Sequence, residues 1–200
     1  MRIPNCWKAG AIVLVLGSLA LHARAETKQE YDWCYDPAAT DDQTIQGCTA
    51  MIESGKYTGV KLSDAYDNRG VGFNGKKQYD LSIPDFRKAI SLNPRNYEAF
   101  NNLGNAFYNK EQWNDALDSY DASLRINPQY DKGHKNRGSL YYAVGLYSRA
   151  IEEFNAAIRA NPRYAAAYHD RSMARRKKGD IAGADADLAK ARQLKPNSGW

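Results

Sequence analysis

The sequence has few of the residues on which catalysis and metal binding usually rest. It holds three histidines and three cysteines in 200 residues. It has no glycine-rich phosphate loop and no His/Cys cluster at metal-ligand spacing, which argues against nucleotide-binding and metalloenzyme classes and predicts neither cofactor nor metal. A membrane-spanning apolar run is also missing. The run from Ala9 to Leu21 covers only about 20 Å as a helix, against about 30 Å of hydrocarbon. Tyrosine, by contrast, is abundant at fourteen residues, so a packed interior is within reach.

The short apolar run follows Arg2 and Lys8 and precedes Ala23-Arg24-Ala25, the small-x-small pattern of a cleavage site. Residues 1–25 therefore read as a secretory signal peptide, with retention as an anchor the alternative. Cleavage near Glu26 removes three cations and lowers the formal net charge from +5 to +2. A nearly neutral chain gives no reason to expect a nucleic-acid partner. The charge stays uneven: residues 26–62 carry −4 and residues 165–198 carry +4.

Cleavage leaves Cys34 and Cys48, too far apart for a C-x-x-C redox motif. In an oxidising compartment they are expected to form a structural disulfide worth about 3 kcal/mol. Two buried thiols are the alternative.

The dominant signal is a repeat. Asn93-Pro94, Asn127-Pro128, Asn161-Pro162 and Lys195-Pro196 place a proline every 34 residues. In the windows 63–96, 97–130, 131–164 and 165–198, the eighth place holds Gly70, Gly104, Gly138 and Ser172. The twentieth holds Ser82, Ala116, Ala150 and Ala184, and the twenty-fourth Phe86, Tyr120, Phe154 and Leu188. Aromatic places alternate with small ones along two helical faces, and the proline ends each second helix. This pattern resembles the tetratricopeptide repeat. The resemblance implies an all-α fold: a right-handed α-solenoid of four helix-turn-helix repeats with a concave groove. Residues 26–62 are read as an N-terminal helical half-repeat cap, with Asp41 or Asp42 capping the helix through Ile45–Ile52. Small secreted repeat proteins of Gram-negative bacteria, many with such a cysteine pair, are similar overall.

Local departures carry their own expectations. Arg69, Arg137 and Arg171 stand at a place usually held by leucine, with stems that pack and heads that reach solvent. Pro84 should kink or delay its helix, with Ser82 as an N-cap. His134 is read as a satisfied packing residue and Glu152-Glu153 as solvated surface. The basic stretch 175–178 is read as the polar face of a terminal repeat.

In the family the groove is lined by the first helix of each repeat. Carried onto this sequence, that gives Asn68, Asn101, Asn102, Asn105, Tyr108, Lys132, Asn136, Tyr142, His169, Asp170 and Arg176 as the peptide-binding surface. The column Asn68, Asn102, Asn136 is similar to the asparagine ladder of the O-linked N-acetylglucosamine transferase superhelix. It offers amides that match a peptide backbone, or else bonds neighbouring helices. The charged clamp of chaperone-binding members is not reproduced, since Asp67, Val71, Asn102, Lys132 and Asn136 stand there. The implied function is non-enzymatic: a periplasmic adaptor holding an extended peptide or partner segment. The alternatives are an envelope scaffold acting through its convex face, or an envelope enzyme built around His169.

Overall fold

The computed structural model describes residues 27–196, so residues 1–25, read above as a signal peptide, lie outside the described residues. Every element described is a helix: α1 (Lys28–Tyr35), α2 (Asp41–Glu53), α3 (Gly59–Gly75), α4 (Tyr79–Leu92), α5 (Tyr97–Asn109), α6 (Trp113–Ile126), α7 (Asp131–Ala143), α8 (Tyr147–Ala160), α9 (Ala165–Lys177) and α10 (Ile181–Leu194). Each helix packs on the next. Each odd-numbered helix also touches the following odd one, whereas no even-numbered helix touches the next even one. That asymmetry curves the stack, with odd helices crowded on the inner face and even helices spread on the outer. The fold is an α-solenoid.

Close approach within each hairpin follows from the small eighth place. A Cβ added to Gly70, Gly104 or Gly138 would lie 2.6–2.7 Å from the ring of Phe86, Tyr120 or Phe154. Those rings are at most 1% exposed. Ala65, Ala89, Ala99, Ala116, Ala150, Ala157, Ala167, Ala184 and Ala191 are fully buried between helices, where any longer side chain would separate them.

Two turns recur. Inside each hairpin the residue at place fifteen has a left-handed backbone: Lys77 (φ 59°), Glu111 (φ 58°), Gly145 (φ 81°) and Gly179 (φ 85°). The amide after it closes on the carbonyl five residues back, as in Gln112 N to Phe107 O at 2.9 Å. Between hairpins, the side chains of Asn93, Asn127 and Asn161 accept from the backbone two residues on, at 3.1–3.2 Å. The asparagine thus caps the turn that the proline begins.

Several local expectations need correction. Thr40, not Asp41 or Asp42, caps α2, the second helix of the N-terminal hairpin. Thr40 shares a capping box with Gln43, as Thr27 does with Glu30 on α1. The Cys34 and Cys48 sulfurs lie 2.10 Å apart, joining α1 to α2. Helix α4 starts at Tyr79, so Pro84 does not delay it, and Ser82 is fully buried rather than a cap.

The arginines differ most from expectation. Arg69 forks onto Asp85 at 2.7 and 2.8 Å, and Arg171 onto Asp187, 2.8 Å from Nε to Oδ2. Arg137 donates to Glu153 at 2.8 Å and to Asp121 at 2.6 Å. The heads close onto the second helix of the same repeat, and for Arg137 also onto that of the preceding one, instead of reaching solvent. Glu153 is therefore no solvated acid, and its side chain is only 16% exposed. His134 is satisfied by Glu153 at 2.8 Å and by the Pro128 carbonyl at 3.0 Å. Of the basic stretch, Arg175 pairs with Asp187 at 3.0 Å and Arg176 with Asp185 at 2.5 Å.

Candidate interaction groove

The inner face of odd-numbered helices carries a chain of concavities. The central one, about 540 Å³, is lined from α3, α5, α7 and α9 by Asn74, Asn105, Tyr108, Asn136, Tyr142 and Asp170, among others. Toward the N-terminus, about 330 Å³ is bounded by Asp67, Asn101, Asn102, Lys132 and Tyr130. Next to it, about 380 Å³ is bounded by Asp64, Asp67, Glu98 and Tyr97. Toward the C-terminus, about 670 Å³ is lined by Tyr142, His169, Met173, Arg176 and Lys177. Each of the eleven groove residues read from sequence borders one of these spaces.

They are not equally free. The asparagine column stitches the repeats together. Asn68 Nδ2 donates to the Cys34 carbonyl at 2.9 Å, Asn102 Nδ2 to Asp67 at 3.0 Å, and Asn136 Nδ2 to Asn101 at 2.9 Å. In the fourth repeat, Asp170 meets Lys135 at 3.3 Å. From the second repeat on, a residue at place six thus bonds one at place five of the preceding repeat. Asn101, only 3% exposed, belongs to this stitch more than to the surface. Asn105 accepts the Tyr120 hydroxyl at 2.9 Å, which secures the only phenol among the three buried rings. The rings of Tyr108 and Tyr142 border the central space, braced by Trp113 and Tyr147 at centroid distances of 5.4 and 5.5 Å.

Two polar features stand out along the inner face. Asn74 Oδ1 is a buried acceptor with no hydrogen-bond partner among the described residues, on a residue that lines the central space. At the acidic end, burial raises the Asp67 carboxyl to about 6, against the lowering bond from Asn102, with Glu98 and Asp64 adding to the rise. His169 meets Asp170 at 3.1 Å, while the Ser172 hydroxyl donates to the His169 carbonyl at 2.6 Å and not to the imidazole. This arrangement does not set up an activated hydroxyl nucleophile.

The family reading of the groove left out the tyrosines at the repeat junctions. Tyr97, Tyr130 and Tyr164 sit at the start of a repeat or the end of the one before, and all three border the acidic concavities. Their signal was the aromatic recurring beside each Asn-Pro. The arginine–acid pairs were also missed. Their signal was an acid sixteen residues after each arginine, replaced by Ser119 where Leu103 stands.

Comparison with known proteins agrees with this architecture. A family profile described as TPR repeat matches residues 73–111 and 104–145, and another, described as tetratricopeptide repeat, matches residues 135–199. No curated protein matches the chain in sequence. Among solved structures, MamA is similar with a TM-score of 0.65 at 20% identity, covering 78% of this chain and 89% of that one. A structure titled YrrB, "a TPR protein with an unusual peptide-binding site", is similar with a TM-score of 0.59 at 20% identity, covering 79% of each chain. The profiles together span residues 73–199, and the chain belongs to the tetratricopeptide-repeat family.

Proposed function

We propose that this protein is a non-enzymatic adaptor that holds an extended peptide or partner segment in its concave groove. The observation that carries the reading is the central concavity of about 540 Å³, walled by four successive first helices and bordered by Tyr108 and Tyr142. Tyrosines offer large contact area at small entropic loss. The peptide-binding site named for YrrB lies on a similar fold and supports the same kind of partner. Export to the periplasm of a Gram-negative cell is part of the proposal. It rests on the leader-like start of the sequence and on the Cys34–Cys48 pair. No helix among the described residues is long and apolar enough to cross a membrane.

Because Asn68, Asn102 and Asn136 tie repeats together, their replacement would confuse folding with binding. Tyr108→Ala and Tyr142→Ala are the cleaner probes. Affinity capture from an envelope extract, with wild type and the double variant shown to be equally helical by circular dichroism, tests the groove. A partner retained by wild type and lost by the variant supports it. Equal retention moves the interaction to the convex face.

A further inference from the structure

Within the four repeats, the buried carboxylates follow a rule with one exception. Asp85, Glu153 and Asp187, each mostly buried, all receive an arginine of their own repeat. Asp67 is as buried, at 7% exposed, yet no cation pairs with it among the described residues. One of its oxygens accepts from Asn102. Its side chain borders the two N-terminal concavities, of about 330 and 380 Å³. Glu98 borders both spaces as well, and Asp64 one of them. Neither acid has an ion-pair partner among the described residues. The cations on the same walls, Arg95 and Lys132, are exposed and form no ion pair with the three acids. Tyr97 and Tyr130 add aromatic walls, their rings 4.8 Å apart in an edge contact.

Three carboxylates beside tyrosine rings make the chemistry of a cation site. A bare metal ion fits poorly, because the described residues hold no group of three or more acids, histidines or cysteines placed to ligate one. An organic cation on a flexible stem fits better: it can reach a recessed carboxylate and lay its charge against a ring. We propose that this end of the groove binds a cationic side chain of the partner segment, arginine by preference. The inference rests on the groove reading above and adds partner chemistry and direction to it. The basic residue of the segment lies on the first and second repeats, and the remainder runs toward Arg176 and Lys177.

Capped single amino acids separate this site from the wider groove, because they carry no peptide segment. The isotopically labelled full chain is titrated with Nα-acetyl-arginine amide, Nα-acetyl-glutamine amide and Nα-acetyl-glutamate amide, following backbone amide resonances. The arginine probe is expected to give saturable shifts around Asp67 and Glu98, and the other two none. Asp67→Asn, isosteric and able to keep the Asn102 bond, should weaken the arginine probe by about fivefold or more, and Glu98→Gln, at an exposed position, by about threefold. Equal shifts from the arginine and glutamine probes would overturn the proposal. So would unchanged affinity in both variants, or displacement of the arginine probe by calcium at equal concentration. If the probe fails while capture still depends on Tyr108 and Tyr142, the cation site falls and the groove reading stands. If the probe binds while capture ignores those tyrosines, the cation site stands and the groove reading falls.

Discussion

At the scale of single residues, the left-handed positions and the titrating carboxylates give the sharpest tests. Lys77 and Glu111 occupy a backbone region that costs a side chain about 1 kcal/mol, while Gly145 and Gly179 occupy the same turn position freely. Glu111→Gly should therefore raise stability by about 1 kcal/mol in urea unfolding, against the usual glycine penalty. Gly104 allows no such freedom, since its Cβ would meet the Tyr120 ring at 2.6 Å. Gly104→Ala should destabilise by about 1–3 kcal/mol. Asp67 and Glu153 respond to pH in opposite senses. Asp67 rises on burial from 3.8 to about 6, so its contribution is complete below the lower value and is lost as the pH climbs through the upper. Asp67→Asn should gain about 1–3 kcal/mol at pH 7.5 and little at pH 4. For Glu153, burial alone would raise the carboxyl, but bonds from His134 and Arg137 hold it below its ordinary 4.5. Its contribution is present above that value and is lost as the pH falls through the lowered one. Stability of wild type and Glu153→Gln, followed from pH 7 to pH 3, should converge at the acid end.

At the scale of elements, three of the four repeats are locked by an arginine–acid pair, and the second has an uncharged pair in its place. The second repeat has Leu103 and Ser119 where the first has Arg69 and Asp85. Removing one partner of a buried pair leaves an uncompensated charge, so Asp85→Ser alone should cost about 3 kcal/mol. Adding Arg69→Leu copies the second repeat and should restore most of the loss, and a double-mutant cycle reads the coupling directly. The N-terminal hairpin depends on a different device. Helix α1 is eight residues long and, among the described residues, packs only on α2 and α3. Replacing both Cys34 and Cys48 by alanine should cost up to about 3 kcal/mol locally. Amide exchange should then speed up in α1 and leave α5 to α8 unchanged, because a solenoid transmits strain only to neighbours. These elements differ in legibility. The helix pairs could be read from the 34-residue spacing, because the need to bury one face of each helix is written in the period itself. The caps could not: Thr40 outcompetes the adjacent Asp41 and Asp42 only because Gln43 completes the box from the first turn.

At the scale of the whole molecule, curvature and groove come from the contact of odd helices with odd helices. That the eleven residues read from sequence border the inner concavities follows because a repeat places the same position on the same face every time. Which of them remain available to a ligand was not legible. Asn102 and Asn136 look like free amides in sequence, yet each reaches a residue 35 positions earlier in the neighbouring repeat, at 3.0 and 2.9 Å. The missing counter-charge of Asp67 is likewise a tertiary fact, since charges adjacent in sequence do not determine which of them meet across two repeats. By itself, then, the sequence determined the period, the α-solenoid and the inner-facing set of residues, because helix periodicity and the burial of small and aromatic places are local constraints repeated four times. Only the tertiary structure decided which inner residues stitch the repeats, which arginines close onto buried acids, and which carboxylate is left facing the groove. Those outcomes depend on distances between separate hairpins, and the twist of the stack sets them.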